Sequence, residues 1–212
     1  MLELQNIHWQ LPDGGEILKG ISLSIPDGQL TVVTGPNGGG KTSLAKVIAG
    51  LYAPSEGKIL LNGEDITELS ITDRAKKGIA YAFQQPVRFK GLTVLDLLEL
   101  SAEEKLPRDK VCSLLGEVGL CSKEYINREA DSSLSGGESK RIELATVLAR
   151  KNARMLVFDE PEAGIDLWSF ARLTETFQRL HDEGGRTIII ISHQERIIRL
   201  ADEIVLISGG QV

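Results

Sequence analysis

Gly35-Pro36-Asn37-Gly38-Gly39-Gly40-Lys41-Thr42 decides how the rest of this chain is to be read. It fits G-x-x-x-x-G-K-[ST] and stands between an apolar run, Leu30 to Thr34, and a helix-like segment, Ser43 to Ala49. A strand that ends in a glycine-rich turn and feeds a helix aims backbone N–H groups, and the positive end of the helix dipole, at one small volume. That volume suits a polyphosphate. Glycines let the backbone approach the oxygens, Lys41 would reach the β- and γ-phosphates, and Thr42 would offer its hydroxyl to Mg²⁺. Gly35 through Ser43 is therefore the predicted nucleotide cradle.

Working outward, the N-terminal side reads as strands. Leu2, Leu4, Ile7, Trp9 and Leu11 suggest a half-buried strand, Pro12-Asp13-Gly14-Gly15 a tight turn, and Ile17 to Ile25 the returning partner, which together predict an antiparallel β edge. Leu30 to Thr34 is apolar enough for a central strand covered on both faces. After the loop and its helix, which stops at Gly50, Gly57 to Asn62 reads as a strand and Asp65 to Lys77 as partly helical. Gly78 to Phe83 is another strand, and it ends at Gln84-Gln85-Pro86, where proline removes a backbone donor. The periodicity then becomes helical. Val94, Leu95, Leu97, Leu98 and Leu100 suggest one apolar face, Leu106 to Val118 with Pro107 near its start a second, and Glu138 to Ala149 a third. Arg154 to Phe158 returns to a buried strand, Leu167 to His181 is an amphipathic helix stopped by Gly184-Gly185, and Thr187 to Ile191 is a further central strand. Glu195 to Leu200 and Glu203 to Ile207 close the sheet. The prediction is one α/β domain with a mostly parallel sheet, residues 1–85 and 147–212 forming the core and 86–146 an inserted helical subdomain.

Composition narrows the function. The 212 residues are 42% hydrophobic and 25% charged, with a formal net charge of −6, a profile of a water-soluble domain without the basic field of a nucleic-acid binder. Apolar runs such as Ile188 to Ile191 are far too short to span a bilayer, and Met1 to Gln10 alternates like a strand rather than showing an export signal. A cytoplasmic location is expected. Cys112 and Cys121 match neither a zinc nor a redox spacing and are expected to be reduced thiols.

A second chemical pattern matches the first. Met155-Leu156-Val157-Phe158-Asp159-Glu160 places two carboxylates at the end of a predicted central strand. Asp159 suits Mg²⁺ held through water, and Glu160 suits polarisation of the attacking water, because phosphoryl transfer is mostly positioning and charge neutralisation. Ser135-Gly136-Gly137-Glu138 opens a helix and offers a hydroxyl, glycine amides and a helix N-terminus to an anion.

Together these stretches resemble the ATP-binding cassette (ABC) ATPases of the P-loop NTPase class. Gln84 falls at that family's Q-loop, Ala163-Gly164-Ile165-Asp166 at its D-loop, and Ser192-His193 at its switch histidine. The resemblance implies ATP and Mg²⁺ as cofactors, Glu160, His193, Gln84 and Lys41 in catalysis, Thr42, Gln84 and Asp159 at the metal, and Ser135, Gly136, Gly137, Glu138 and Asp166 among the nucleotide-binding residues. It further implies a homodimer formed on ATP binding, each ATP lying between the phosphate loop of one copy and the family's signature stretch, here Ser135 to Glu138, of the other. Most members place an aromatic residue before the loop to stack on the base; here that position falls on Leu11 or Pro12, with Trp9 out of register.

Within the family, four stretches are similar to SufC, the ATPase of the SUF iron–sulfur assembly system: Arg74 to Ile79 leading to Ala82-Phe83-Gln84-Gln85-Pro86-Val87, then Tyr125-Ile126-Asn127-Arg128, then Lys140-Arg141-Ile142-Glu143, and Glu160 to Asp166. Glu162 and Ala163 depart from the usual Asp-Ser of that branch. The SufC resemblance implies a soluble SufB-like, and with it a SufD-like, scaffold as partner; the alternative is the nucleotide-binding subunit of a membrane transporter, with a permease as partner.

Overall fold

The computed structural model describes residues 1–212. The elements in chain order are β1 (Leu2–Gln10), β2 (Glu16–Ile25), β3 (Leu30–Thr34), α1 (Lys41–Ala49), β4 (Glu56–Leu61), β5 (Glu64–Asp65), α2 (Ile71–Lys76) and β6 (Ile79–Ala82). Then come α3 (Val94–Ala102), α4 (Arg108–Glu117), α5 (Ser122–Tyr125), α6 (Gly136–Ala149), β7 (Met155–Asp159), α7 (Leu167–Glu183), β8 (Thr187–Ile191), α8 (Glu195–Ile198) and β9 (Glu203–Leu206). The chain divides into two compact units, Met1–Tyr81 with Ala153–Asp159 and Glu183–Val212, and Ala82–Asn152 with Glu160–Asp182.

The first unit carries both sheets. One is five-stranded in the order β6-β7-β8-β3-β9, with β3 parallel to β8 and β9, and β7 parallel to β8. Every residue of β7 and β8 is buried, as continuous apolar runs covered on both faces must be. The antiparallel edge read from the sequence is a full four-stranded sheet, β2-β1-β4-β5, which takes in β4 as well. In β1 the inward set changes phase, from Leu2 and Leu4 to Ile7, which a regular pleat cannot accommodate. A register shift between Leu4 and Ile7 resolves it, with Asn6 at φ 52° as the extra residue. Gly57 fits against that bulge because any Cβ there would lie 2.3 Å from the Asn6 carbonyl oxygen. α1 packs on β7 and β8, and Leu44, Val47 and Ile48 enter the same core as Val33, Val157 and Ile189.

The second unit is helical: α3 and α4 pack on α6, and α5 on α4. Thr93 opens α3 with a reciprocal capping box through Asp96. Val94, Leu97 and Leu98 are buried, but Leu100, expected on the same face, is 63% exposed, because a helix turning about 100° per residue carries it about 120° from Val94 and about 160° from Leu98. α7 groups with this unit rather than with the sheets. Its Phe170, Leu173, Phe177 and Leu180 recur at helical spacing and are buried, and its Thr176 hydroxyl donates to the Glu117 carbonyl at the end of α4 at 2.7 Å. The helical unit thus begins at Ala82 and includes Glu160–Asp182, beyond the 86–146 span anticipated for it. No helix is long and apolar enough to cross a membrane.

Candidate functional site

Register places the first unit's groups at one edge. Val33 of β3 and Asp159 of β7 both pair with Ile191 of β8, so these strands end level, and the loop after β3, Asp159 itself and Ser192-His193 all issue from the same end of the sheet. Open α/β sheets take ligands at this carboxyl edge. The glycine loop is braced from behind by the turn that follows β9. A Cβ on Gly35 would lie 2.0 Å from the Ile207 carbonyl oxygen and one on Gly39 2.9 Å from it, while the Gly210 amide donates to the Gly39 carbonyl at 3.0 Å. Asn37, Gly38 and Gly40 complete the loop, with Gly40 as the N-cap of α1 at φ 106°.

Lys41 and Thr42 open α1. Lys41 is 6% exposed, and its ammonium donates to the carbonyls of Gly35 at 2.7 Å and Pro36 at 2.9 Å, which satisfies a cation that burial would otherwise penalise. The Thr42 hydroxyl donates to Asp159 Oδ1 at 3.1 Å, and the Tyr81 hydroxyl donates to Oδ2 at 2.9 Å, so both oxygens of a fully buried carboxylate are engaged. Ser43 follows, half-buried. His193 is exposed just past β8, and the Ser192 hydroxyl beside it accepts the Gln194 amide at 3.0 Å. The oxygens fit Mg²⁺: the Thr42 hydroxyl at the start of α1 meets the Asp159 carboxylate at the end of β7. Mg²⁺ characteristically takes one or two such oxygens and completes its shell with phosphate and water.

The second unit holds the other groups. Glu160 has φ 47°, a left-handed conformation uncommon for a residue with a side chain, and its Oε2 accepts Gln84 Nε2–H at 2.8 Å. Behind Gln84, the Lys140 ammonium donates to the Phe83 carbonyl and, at 3.3 Å, to that of Gln84, while Glu143 Oε1 accepts the Phe83 amide at 2.8 Å. Burial pushes the Glu143 carboxyl up to about 7, against the opposing pull of Lys140 and the Phe83 amide. Ser135 caps α6: its hydroxyl oxygen accepts the Glu138 amide at 3.3 Å, and Glu138 Oε2 accepts the Ser135 amide at 2.7 Å. Glu138 also accepts the Tyr125 hydroxyl and lies 3.4 Å from Arg128, and the Tyr125 bond, followed by those to Ser135, holds its carboxyl down to about 2. Gly136 stands in open space, whereas a Cβ on Gly137 would lie 2.7 Å from the Gly164 carbonyl oxygen, so the signature and D-loop stretches touch backbone to backbone. Asp166 is occupied at the start of α7, where it accepts the amides of Trp168 at 3.1 Å and Ser169 at 3.0 Å and the Ser169 hydroxyl at 2.7 Å. Arg141 completes the join by donating to Ser169 Oγ at 2.8 Å and to the Gly119 carbonyl at 3.0 Å.

The first unit thus gathers Gly35 to Ser43, Asp159 and His193, and the second gathers Gln84, Glu160, Ser135 to Glu138 and Asp166. Tyr81 escaped the sequence reading because one tyrosine in an apolar strand carries no signal of its partner. Lys140, Glu143, Tyr125 and Arg128 were visible as a resemblance, without their contacts. At the position expected to carry a base-stacking aromatic, Leu11 is 39% exposed, and Trp9 is stacked on Tyr52 with ring centroids 4.3 Å apart and planes within 2°.

Known proteins resemble this chain over its full length. A family model described as "ABC transporter" matches residues 18–163. An ABC transporter ATP-binding protein of Methanocaldococcus jannaschii is 37% identical over 220 residues, covering 100% of this chain and 87% of that protein. A sulfate/thiosulfate import ATP-binding protein, CysA of Synechocystis sp., is 36% identical over 198 residues, covering 92% of this chain but 55% of that protein. Among solved structures, a dimeric ATP-binding cassette in a post-hydrolysis state with ADP and phosphate superposes with a TM-score of 0.88 at 24% identity, over 100% of this chain and 96% of that one, which speaks for the fold. With a family model over most of its length and a full-length relative at this identity, the chain belongs to the ABC transporter family and is an ATP-binding, ATP-hydrolysing ABC domain.

Proposed function

We propose that the chain is the nucleotide-binding subunit of an ABC membrane transporter, working at the cytoplasmic face with a permease as partner and with a second copy of itself. The observation that carries this reading is the Thr42–Asp159 contact at the carboxyl edge of the parallel sheet, directly behind a glycine loop, in a chain whose relatives are named as transporter ATP-binding proteins. All 212 residues serve as one ATPase domain, the sheets forming its core and the helical unit its subdomain.

Each residue then has a defined task. The amides of Gly35 to Ser43 cradle the phosphates, and Lys41 turns from the Gly35 and Pro36 carbonyls to the β- and γ-phosphates. Thr42 and Asp159, joined by Gln84, would hold Mg²⁺, and Tyr81 fixes the second oxygen of Asp159. Bound there, Mg²⁺ neutralises charge developing on the transferring phosphoryl group. Glu160 orients and polarises the attacking water, and His193 donates toward the γ-phosphate. Ser135, Gly136, Gly137 and Glu138 of the opposite copy close the site, with Asp166 holding the D-loop beside Gly137 through α7.

A second reading keeps the ATPase and changes the partner. The stretches Ala82 to Val87, Tyr125 to Arg128 and Lys140 to Glu143 are similar to SufC, and Lys140 and Glu143 hydrogen-bond the backbone of Phe83 and Gln84. Under it the protein drives a SufB-like or SufB–SufD-like scaffold in iron–sulfur cluster assembly. Affinity capture from a fractionated lysate separates the two. A multi-span permease in the membrane fraction is the expected result; recovery of a soluble scaffold from a detergent-free lysate, with several-fold stimulation of ATP turnover, would replace the transporter reading by the SUF one.

A further inference from the structure

Two ionisable side chains of α6, Lys140 buried and Glu143 half-buried, grip the backbone on which Gln84 is mounted. Lys140 is 1% exposed and lies in the second turn of α6, whose first turn carries the signature stretch. Its ammonium takes the Phe83 and Gln84 carbonyls, and Glu143 Oε1 takes the Phe83 amide. The other oxygen, Glu143 Oε2, has no hydrogen-bond partner and sits 3.7 Å from the Lys140 ammonium. As a stability device this is a poor arrangement, since burying a cation and a carboxylate loses more hydration than an imperfect pair returns, and apolar side chains would fill the same volume. What the pair does accomplish is positional. Three backbone polar groups of Phe83 and Gln84 are fixed to one helix, and from that anchored backbone the Gln84 side chain reaches Glu160 Oε2 at 2.8 Å.

We propose that Lys140 and Glu143 are positioning residues for ATP hydrolysis, clamping the Phe83–Gln84 backbone so that the Gln84 amide holds the Glu160 carboxylate in place. This rests on the reading of Glu160 as the group that polarises the attacking water. Neither clamp residue need touch nucleotide, so losing the clamp should leave binding intact and slow turnover; a misplacement of about 1 Å at a reacting group can cost up to about a hundredfold. The Glu143 carboxamide variant still offers an oxygen to the Phe83 amide, whereas a leucine does not.

The test is steady-state hydrolysis and ATP affinity for Glu143→Gln, Glu143→Leu, Lys140→Met and the double variant Lys140→Met/Glu143→Leu, each alone and combined with Gln84→Ala. Glu143→Leu and Lys140→Met should lower kcat by about tenfold or more while the Kd for ATP stays within about twofold, and Glu143→Gln should stay near the parent. The double variant leaves no unpaired buried charge, its fold is checked by circular dichroism, and it should show the same loss. On Gln84→Ala the clamp substitutions should add almost nothing, because the group they position is gone. An unchanged kcat, losses that multiply on top of Gln84→Ala, or a double variant restored to parental turnover would each overturn the proposal. Glu160→Gln in the same assay separates the levels: if it hydrolyses ATP like the parent, the reading of Glu160 fails and takes the clamp with it, whereas an inactive Glu160→Gln beside fully active clamp variants sinks the clamp alone.

Discussion

Glu160 is the residue at which backbone and chemistry meet. Its φ of 47° costs of order 1 kcal/mol or more for a side-chain-bearing residue, and its carboxylate is held by Gln84 rather than spent on the fold. A positioned general base typically contributes about 10² to 10⁴ in rate. Glu160→Gln should therefore bind ATP as the parent does and lose at least about a hundredfold in kcat, read by phosphate release beside an equilibrium binding assay. Parental turnover would remove Glu160 from the chemistry. Glu138 gives a prediction in pH. Its carboxyl is held at about 2, below its ordinary 4.5, by the Tyr125 hydroxyl first and the Ser135 amide and hydroxyl next. For a lowered carboxyl the stabilisation is present in full above the ordinary value and disappears as pH falls from there through about 2. Acid unfolding of Glu138→Gln, followed by circular dichroism, should show less stability than the parent at neutral pH and a gap that narrows below pH about 4. A gap independent of pH would contradict the linkage.

At the scale of elements, α1 depends on a distant arginine for its end. Arg74, 1% exposed in α2, donates to the carbonyls of Val47 at 2.6 Å and Ile48 at 3.0 Å, in the last turn of α1, and to those of Thr67 at 2.7 Å and Leu69 at 3.2 Å. A cation at a helix C-terminus also opposes the negative end of the dipole. Arg74→Ala strands several buried carbonyls and should cost about 2 to 4 kcal/mol, a fall in Tm of roughly 5 to 15 °C for a chain of this size. A change under about 2 °C would show that water replaces the guanidinium without loss. Such elements mark the limit of what could be read in advance. The apolar runs of β3, β7 and β8 and the amphipathic α7 were legible because period and burial are written in single stretches. The bulge at Asn6 was foreshadowed by the phase change from Leu4 to Ile7, but that β4 joins β1 is a long-range pairing that neither strand announces. The candidate site divides in the same way: Lys41, Thr42, Asp159 and Glu160 come in contiguous motifs, whereas Tyr81 on Asp159 and Lys140 on Phe83 are contacts between residues dozens of positions apart.

For the whole molecule, the question is whether one chain suffices. The formal charge of −6 makes two copies repel at low ionic strength, so association should depend on nucleotide, which on the proposed reading would add contacts between a phosphate loop and an opposing signature stretch. Activity per chain should then rise with protein concentration. The central claim, that hydrolysis uses Lys41 of one copy and Ser135 of another, is tested most directly by mixing two inactive variants. Lys41→Ala loses its own loop and Ser135→Arg blocks its own signature, yet a head-to-tail pair of the two retains one intact combination. Random pairing makes about half the dimers mixed, with one working site in each, so an equimolar mixture should recover roughly a quarter of the parental rate. A mixture no more active than the sum of its two components would contradict the account.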